Sequence, residues 1–158
     1  MSAFLVALLN STPVVAGVPT DELDADWIAA HRPGATVDDW PLLREARTLL
    51  QSVVRGALPA EALTPLLAGV HSRPSASADG VTWTVDATGS RALVVDAVLA
   101  WSGLHRDQPG RLRACANDEC ARFLLDASRA NNARWCSMAL CGNKLKARRH
   151  YRRTRAAD

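Results

Sequence analysis

Four cysteines, Cys115, Cys120, Cys136 and Cys141, are the residues of this chain whose type and spacing most directly imply chemistry: they read C-x4-C-x15-C-x4-C. Each close pair can present two thiolates from one tight turn, and the intervening segment is long enough to fold the pairs together, which is what a tetrahedral metal site requires. Two disulfides are the competing arrangement. Residues 1–9 carry no basic charge ahead of their short apolar run, and Asn10-Ser11-Thr12-Pro13 breaks that run, so no export signal is read and a cytoplasmic setting is expected, where thiols stay reduced. One zinc ion is therefore the expected cofactor. Four thiolates would fill every coordination position and leave none for water, so the expected role of the metal is structural.

The elements that must position these ligands are short. Residues 122–126 and 133–135 are compatible with strands, and the turn-rich residues 128–132 between them suggest a small hairpin. Ser137 can cap a helix that carries Cys141 in its first turns and runs on through His150 and Tyr151. Gly142 is unfavourable inside a helix and marks a local distortion where backbone passes close to the metal. Knuckle, hairpin and ligand-bearing helix together make a treble-clef-like order.

The run Cys136-Ser137-Met138-Ala139-Leu140-Cys141-Gly142-Asn143-Lys144, with Trp135 before it and Lys146-Ala147-Arg148-Arg149-His150 after it, resembles the CGNR zinc-finger family, which is named for a Cys-Gly-Asn-Arg tetrapeptide. Phe123-Leu124-Leu125-Asp126-Ala127-Ser128-Arg129 is similar to that family's segment between the cysteine pairs. Lys144 stands where the family has arginine; it keeps the charge and loses the planar fork. The resemblance implies a bacterial transcription regulator whose finger binds DNA. Upstream, the apolar start leading to Asn10-Ser11, the Asp21-Glu22-Leu23 segment followed by Trp27, and Leu42-Leu43-Arg44-Glu45-Ala46-Arg47 resemble the ABATE domain. That likeness implies a stress-response regulatory domain that senses a small ligand.

Charge points the same way without the family. Residues 111–158 hold twelve Lys or Arg against four acids, a net +8, whereas residues 1–110 hold seven against twelve, a net −5; the overall +3 conceals this polarity. On a helix, Lys144, Arg148, Arg152 and Arg155 fall close together and Lys146, Arg149 and Arg153 extend the same surface. Leu140, Ala147 and Tyr151 form an adjoining apolar stripe expected to pack on the zinc module. With Asn143, these seven basic residues are the candidate nucleic-acid contacts, since such a surface attracts phosphates in a salt-dependent way. The same charge also suits RNA, an acidic protein partner, or a solvated tail. A homodimer is expected of a regulator, because paired modules gain affinity and a symmetric site, although no heptad marks an interface.

The rest of the chain reads as an α+β fold: a mainly helical domain over residues 1–107 with a small β element, followed by the finger over residues 108–158. At 48% hydrophobic and 22% charged, the composition is that of a globular protein, with no apolar run long enough for a membrane. Only two of the nineteen basic residues are lysine and alanine is abundant, a bias of GC-rich bacterial genomes. Helices are expected over residues 3–10, after Thr20 or Asp21 as cap, from Asp38-Asp39 and Pro41 to Gly56, over residues 58–70 around Pro65, and after Ser90 as cap. Arg44, Arg47 and Arg55 are placed on the outer face of the third of these. Val81-Thr82-Trp83-Thr84-Val85 alternates as a strand, and its partner is either the preceding Ser, Pro and Ala-rich loop or another chain. All five tryptophans are expected as core anchors. His31, His71 and His105 lie in turns, and no catalytic motif accompanies them, so no enzymatic activity is expected. Asn10, Arg44 and Arg47 are candidates to hold a small anionic ligand, against capping for the first and surface charge for the others.

Overall fold

A computed structural model describes residues 2–144, 146 and 147. Three helices make the core: α1 (Ser2–Leu9), α3 (Trp40–Val54) and α4 (Gly89–Asp107). Helix α1 is apolar on nearly every side and buries Phe4, Leu5, Leu8 and Leu9. Helix α3 begins as its sequence dictates. Asp39 caps it by accepting the Leu42 N–H at 2.9 Å, and Pro41 sits in the first turn, where a missing N–H removes no helical bond. Its Leu43, Ala46 and Leu50 meet Leu93, Val94 and Ala97 of α4 in the core. A 3-10 helix (Ala60–Leu67) adds Leu63 and Leu66; Pro65 inside it cannot supply an α-helical N–H, and the tighter turn results.

Two caps differ from expectation. Helix α2 (Ala25–His31) is capped by Asp24, which accepts the Trp27 N–H at 2.8 Å, while Asp21 turns toward arginines of α3. At the start of α4 the cap position is Thr88, and Ser90 is instead buried, its Oγ accepting the Asp38 and Asp39 N–H groups at 3.0 and 2.8 Å. The Ser90 N–H donates in return to Asp38 Oδ1 at 2.8 Å, which pins the beginning of α4 to that of α3. Gly89 has φ +54°, and a Cβ there would lie 2.5 Å from Asp38 Oδ2, so this junction requires glycine twice over.

Three two-stranded antiparallel sheets complete the described residues. A short ribbon, β1 (Val14–Val15) with β2 (Val18–Pro19), occupies a segment expected to be loop. The Ser, Pro and Ala-rich segment is strand β3 (His71–Ser77), paired with β4 (Gly80–Asp86) from His71↔Asp86 to Ser77↔Gly80. Trp83 on β4 is 66% exposed and anchors no core, contrary to expectation. In the C-terminal part, β6 (Phe123–Leu125) pairs with β5 (Leu112–Ala114), and residues 133–135, its expected partner, form no strand. Phe123 is 2% exposed and shares one core with α1, α3 and α4, with Leu112, Ala114 and Leu125 packed against it. The fold is thus a mixture of helices and small sheets with a cysteine cluster toward the C-terminus. No helix among the described residues is long and apolar enough to cross a membrane.

Candidate metal centre

Backbone hydrogen bonds bring the two cysteine pairs together. Cys115 follows β5, and its N–H donates to the Arg122 carbonyl at 2.9 Å, closing the first knuckle. Inside it, the Asn117 carbonyl accepts the Cys120 N–H at 2.8 Å while Asn117 Oδ1 accepts the Glu119 N–H at 3.3 Å. The Ala116 N–H reaches the Arg134 carbonyl at 2.8 Å, which draws the second pair alongside. There Ser137 caps the next turn, its Oγ accepting the Leu140 N–H at 3.0 Å. The Ser137 carbonyl accepts both the Cys141 and the Gly142 N–H at 3.1 Å, so Met138–Gly142 is a wide, π-helical turn. The distortion expected at Gly142 is present. A Cβ on Gly142 would fall 2.6 Å from Met138 Sδ and 3.3 Å from Trp135 Cδ1.

The four Sγ atoms lie within 4.8 Å of one another. Cys120 and Cys136 are 3.8 Å apart, and Cys136 and Cys141 are 3.7 Å apart. A tetrahedral zinc with Zn–S bonds of about 2.3 Å sets its sulfurs about 3.8 Å apart, whereas a disulfide needs about 2.05 Å. All four thiols are free. Burial pushes the Cys120 and Cys136 thiols up, and for Cys136 the neighbouring thiols add to the rise. Burial also acts against ionisation of Cys141, yet the Asn117 Nδ2–H, donating to its sulfur at 3.3 Å, and the adjacent thiols more than offset this and bring it below its ordinary value. Thiolates packed this closely repel one another, and a divalent cation is the group that makes their joint ionisation favourable. The cluster suits one structural zinc ion, with the Asn117 side chain and the Cys136 N–H, 3.4 Å from Cys115 Sγ, as outer donors to the ligand sulfurs.

The loop between the pairs is organised by Asp126, a buried residue that sequence reasoning did not single out. Its carboxylate accepts the Ser128 and Ala133 N–H groups at 2.8 Å each and pairs with Arg113 Nη2 at 2.9 Å. Bonding from Ser128, then from Ala133 and the charge of Arg113, holds its carboxyl down to about 2 against the opposing effect of burial. Arg113 also donates to the Asn131 carbonyl and side chain, and Arg111 Nη1 donates to the Asp126 and Ser128 carbonyls at 2.7 and 2.8 Å. These bonds hold residues 128–133 as a loop, which is why they do not pair with β6. The Asp126-x-Ser128 spacing, a common side-chain-to-backbone turn, was the available signal.

Of the candidate nucleic-acid contacts, Asn143, Lys144 and Lys146 are exposed. Lys144 Nζ pairs with Glu119 Oε2 at 2.8 Å, tying the residue after the last ligand back to the first knuckle. Arg148, Arg149, Arg152, Arg153 and Arg155 lie outside the described residues, as do His150 and Tyr151. Leu140 and Ala147, expected to pack on the zinc module, are exposed: the wide turn carries Cys141 and Gly142 inward instead.

The three candidate ligand residues are engaged within the fold. Asn10 Nδ2 donates to the Phe123 carbonyl at 3.1 Å and Asn10 Oδ1 accepts the Phe123 N–H at 2.7 Å. Arg47, expected on an outer face, is 5% exposed; it reaches Asp21 Oδ1 at 2.6 Å and Ser11 Oγ at 3.0 Å. Arg44 Nε bonds Asp21 Oδ2 at 2.8 Å. The Arg47 guanidinium, with Arg44 beside it, holds the Asp21 carboxyl well below the usual carboxylate range, although burial opposes this. A groove of about 730 Å³ lies elsewhere, between the β1–β2 ribbon and the first knuckle, lined by Val14, Arg55, Glu119 and Lys144 among others, and none of the three borders it.

Four clustered thiols at tetrahedral spacing, Cys115 and Cys141 buried and Cys120 and Cys136 half-buried, held by two knuckles and a braced loop, define a zinc-finger module. Residues 111–154 match the CGNR zinc finger family. The match bears out the resemblance of that segment, and residues 1–110 lie outside it. No curated protein matches the chain significantly.

Proposed function

We propose that this chain is a non-enzymatic bacterial DNA-binding regulator in which the zinc finger presents a basic helix to duplex DNA. The observation that carries the reading is the coincidence of the CGNR zinc finger match over residues 111–154 with a net charge of +8 over residues 111–158. A structural metal fixes the direction in which the segment after Cys141 leaves the module, and Asn143, Lys144 and Lys146 open a run that continues, in sequence, through Arg148, Arg149, Arg152, Arg153 and Arg155. The finer fold reading is a treble clef followed by that helix. Residues 1–107 form the regulatory half, an ABATE-like domain acting in a stress response in the cytoplasm, with Asn10, Arg44 and Arg47 serving its architecture rather than a small-ligand site.

The test is duplex binding by the zinc-loaded protein across a salt series, with the quadruple charge-removal variant at Arg148, Arg149, Arg152 and Arg153. Affinity that falls steeply with salt, and is lost in the variant with zinc content unchanged, is expected; each phosphate contact steepens the salt dependence by about one unit of log–log slope. Unchanged duplex affinity in the variant would refute the reading. A second reading, a protein- or RNA-interaction finger, is favoured by the exposure of Met138 and Leu140 on the ligand-bearing turn. It predicts zinc without duplex binding.

A further inference from the structure

The β3–β4 hairpin stands apart from the core. Every residue of both strands is exposed except Val85, which is half-buried, and the core cluster contains none of them. A two-stranded ribbon of this kind is marginal by itself in water. Its side chains are nonetheless sorted. One face carries the Arg73–Asp86 ion pair at 3.3 Å and the Ser75–Thr82 hydrogen bond at 2.9 Å, and the other carries Pro74, Ala76, Val81, Trp83 and Val85. Val81 is 62% exposed on that apolar face, beside Trp83.

The two edges differ in kind. Ser77 and Gly80 flank a two-residue turn, so they exchange hydrogen bonds, and so do the pairs 75/82, 73/84 and 71/86. The backbone groups of Val81, Trp83 and Val85 therefore point outward along the free edge of β4. On β3 the corresponding outward positions include Pro74, which has no N–H to offer, and the charged Arg73 precedes it. Proline and charge are how natural sheets blunt an edge. From Val81 to Val85, β4 has neither.

The β4 sequence is also a palindrome about Trp83: Val81-Thr82-Trp83-Thr84-Val85. Antiparallel pairing of two copies about a two-fold axis at Trp83 sets Val81 against Val85, Thr82 against Thr84, and Trp83 against itself. All three outward-facing residues of each copy find partners, and no like charges meet, since Asp86 falls opposite Gly80. A self-complementary patch is what a two-fold interface demands. We propose that β4 is a homodimerisation edge, joining two copies into a β3–β4–β4–β3 sheet with their apolar faces on one side. The contact spans few residues, well short of the ~1,200 Å² at which standard interfaces begin, so the dimer forms at micromolar concentrations and above. This inference does not rest on the DNA-binding reading.

Sedimentation velocity on the full zinc-loaded chain, from low to several hundred micromolar, should follow a monomer–dimer equilibrium. Amide hydrogen exchange supplies the edge-specific signature: at high concentration the Val81, Trp83 and Val85 amides gain about tenfold protection or more, while Thr82, Thr84 and Asp86, bonded within the hairpin, are the more protected of the strand's amides already in the monomer. Trp83→Lys brings two ammonium groups together at the axis and should raise the dissociation constant by about tenfold or more, with the Thr82 and Thr84 amides reporting that the hairpin persists. Ser75→Lys, on the polar face, should leave it unchanged. A monomer at every concentration overturns the proposal, as does a dimer whose Val81, Trp83 and Val85 amides stay unprotected.

Discussion

Removing the Asn10 side chain tests how the finger is joined to the helical core. Its amide makes two hydrogen bonds to the backbone of one residue, 3.1 Å to the Phe123 carbonyl and 2.7 Å from the Phe123 N–H, and Phe123 itself is almost wholly buried. In Asn10→Ala both bonds are lost and two backbone groups are left unpaired in a half-dry setting. A hydrogen bond contributes about 1 kcal/mol net, and an unsatisfied buried group costs about 1–3 kcal/mol; together these predict a loss of about 2–4 kcal/mol. With a urea slope of about 2 kcal/mol per molar, the midpoint should fall by about 1–2 M. The assay is urea unfolding followed by far-UV circular dichroism at fixed free zinc, because metal binding itself shifts the midpoint. Asn10→Asp keeps the acceptor for the Phe123 N–H but sets an anionic oxygen against the Phe123 carbonyl, so it should be at least as damaging as alanine. A loss below about 0.5 kcal/mol, the range of ordinary surface substitutions, or an aspartate variant more stable than the alanine one, would refute the clamp.

Asn117→Ala removes the donor to Cys141 Sγ and should weaken zinc binding by about 10- to 100-fold, read by competition with a chromophoric chelator; unchanged affinity would deny Asn117 its role. Gly89→Ala forces a Cβ toward Asp38 at a positive φ and should cost about 1–3 kcal/mol in thermal unfolding; a neutral result would mean the α3–α4 junction is not as tight as drawn. Asp21 and Asp126 have depressed folded-state pKa values, so their stabilisation is fully present above the unfolded value of about 4 and is lost as pH falls through the folded values, about 2 for Asp126 and lower for Asp21. Stability should decline across that acid window, and Asp21→Asn should flatten part of the decline; equal slopes for variant and wild type would remove Asp21 from the account.

What was legible in the sequence was what depends on neighbours in the chain. The cysteine spacing announces the cluster because each pair is set by one local turn, and α3 announces its start because Asp39 and Pro41 act within a single helical turn. What was missed depends on distant partners. Strand β3 carries no hydrophobic alternation because one face is His71, Arg73, Ser75 and Ser77 and the other only Ser72, Pro74 and Ala76, and its strand character comes from pairing with β4. Arg47 reads as surface charge until Asp21 and Ser11, far away in sequence, are brought against it. The segment Leu112–Ala114 is too short for any periodicity to show, and it takes the place beside β6 that residues 133–135 would have had if Asp126 did not hold the loop closed.

Phe123 follows Cys120 by three residues, inside the span that the metal must draw tight, yet its ring lies in the helical core with the Arg55 guanidinium 4.4 Å above it. Zinc loading and helix packing therefore act on the same strand, and neither can loosen without the other feeling it. Such a chain should melt in one step whose midpoint tracks free zinc. A finger of this kind grafted onto a foreign scaffold would arrive with its Phe123 ring uncovered, so it is suited to inheritance with its own helices and poorly suited to exchange between proteins.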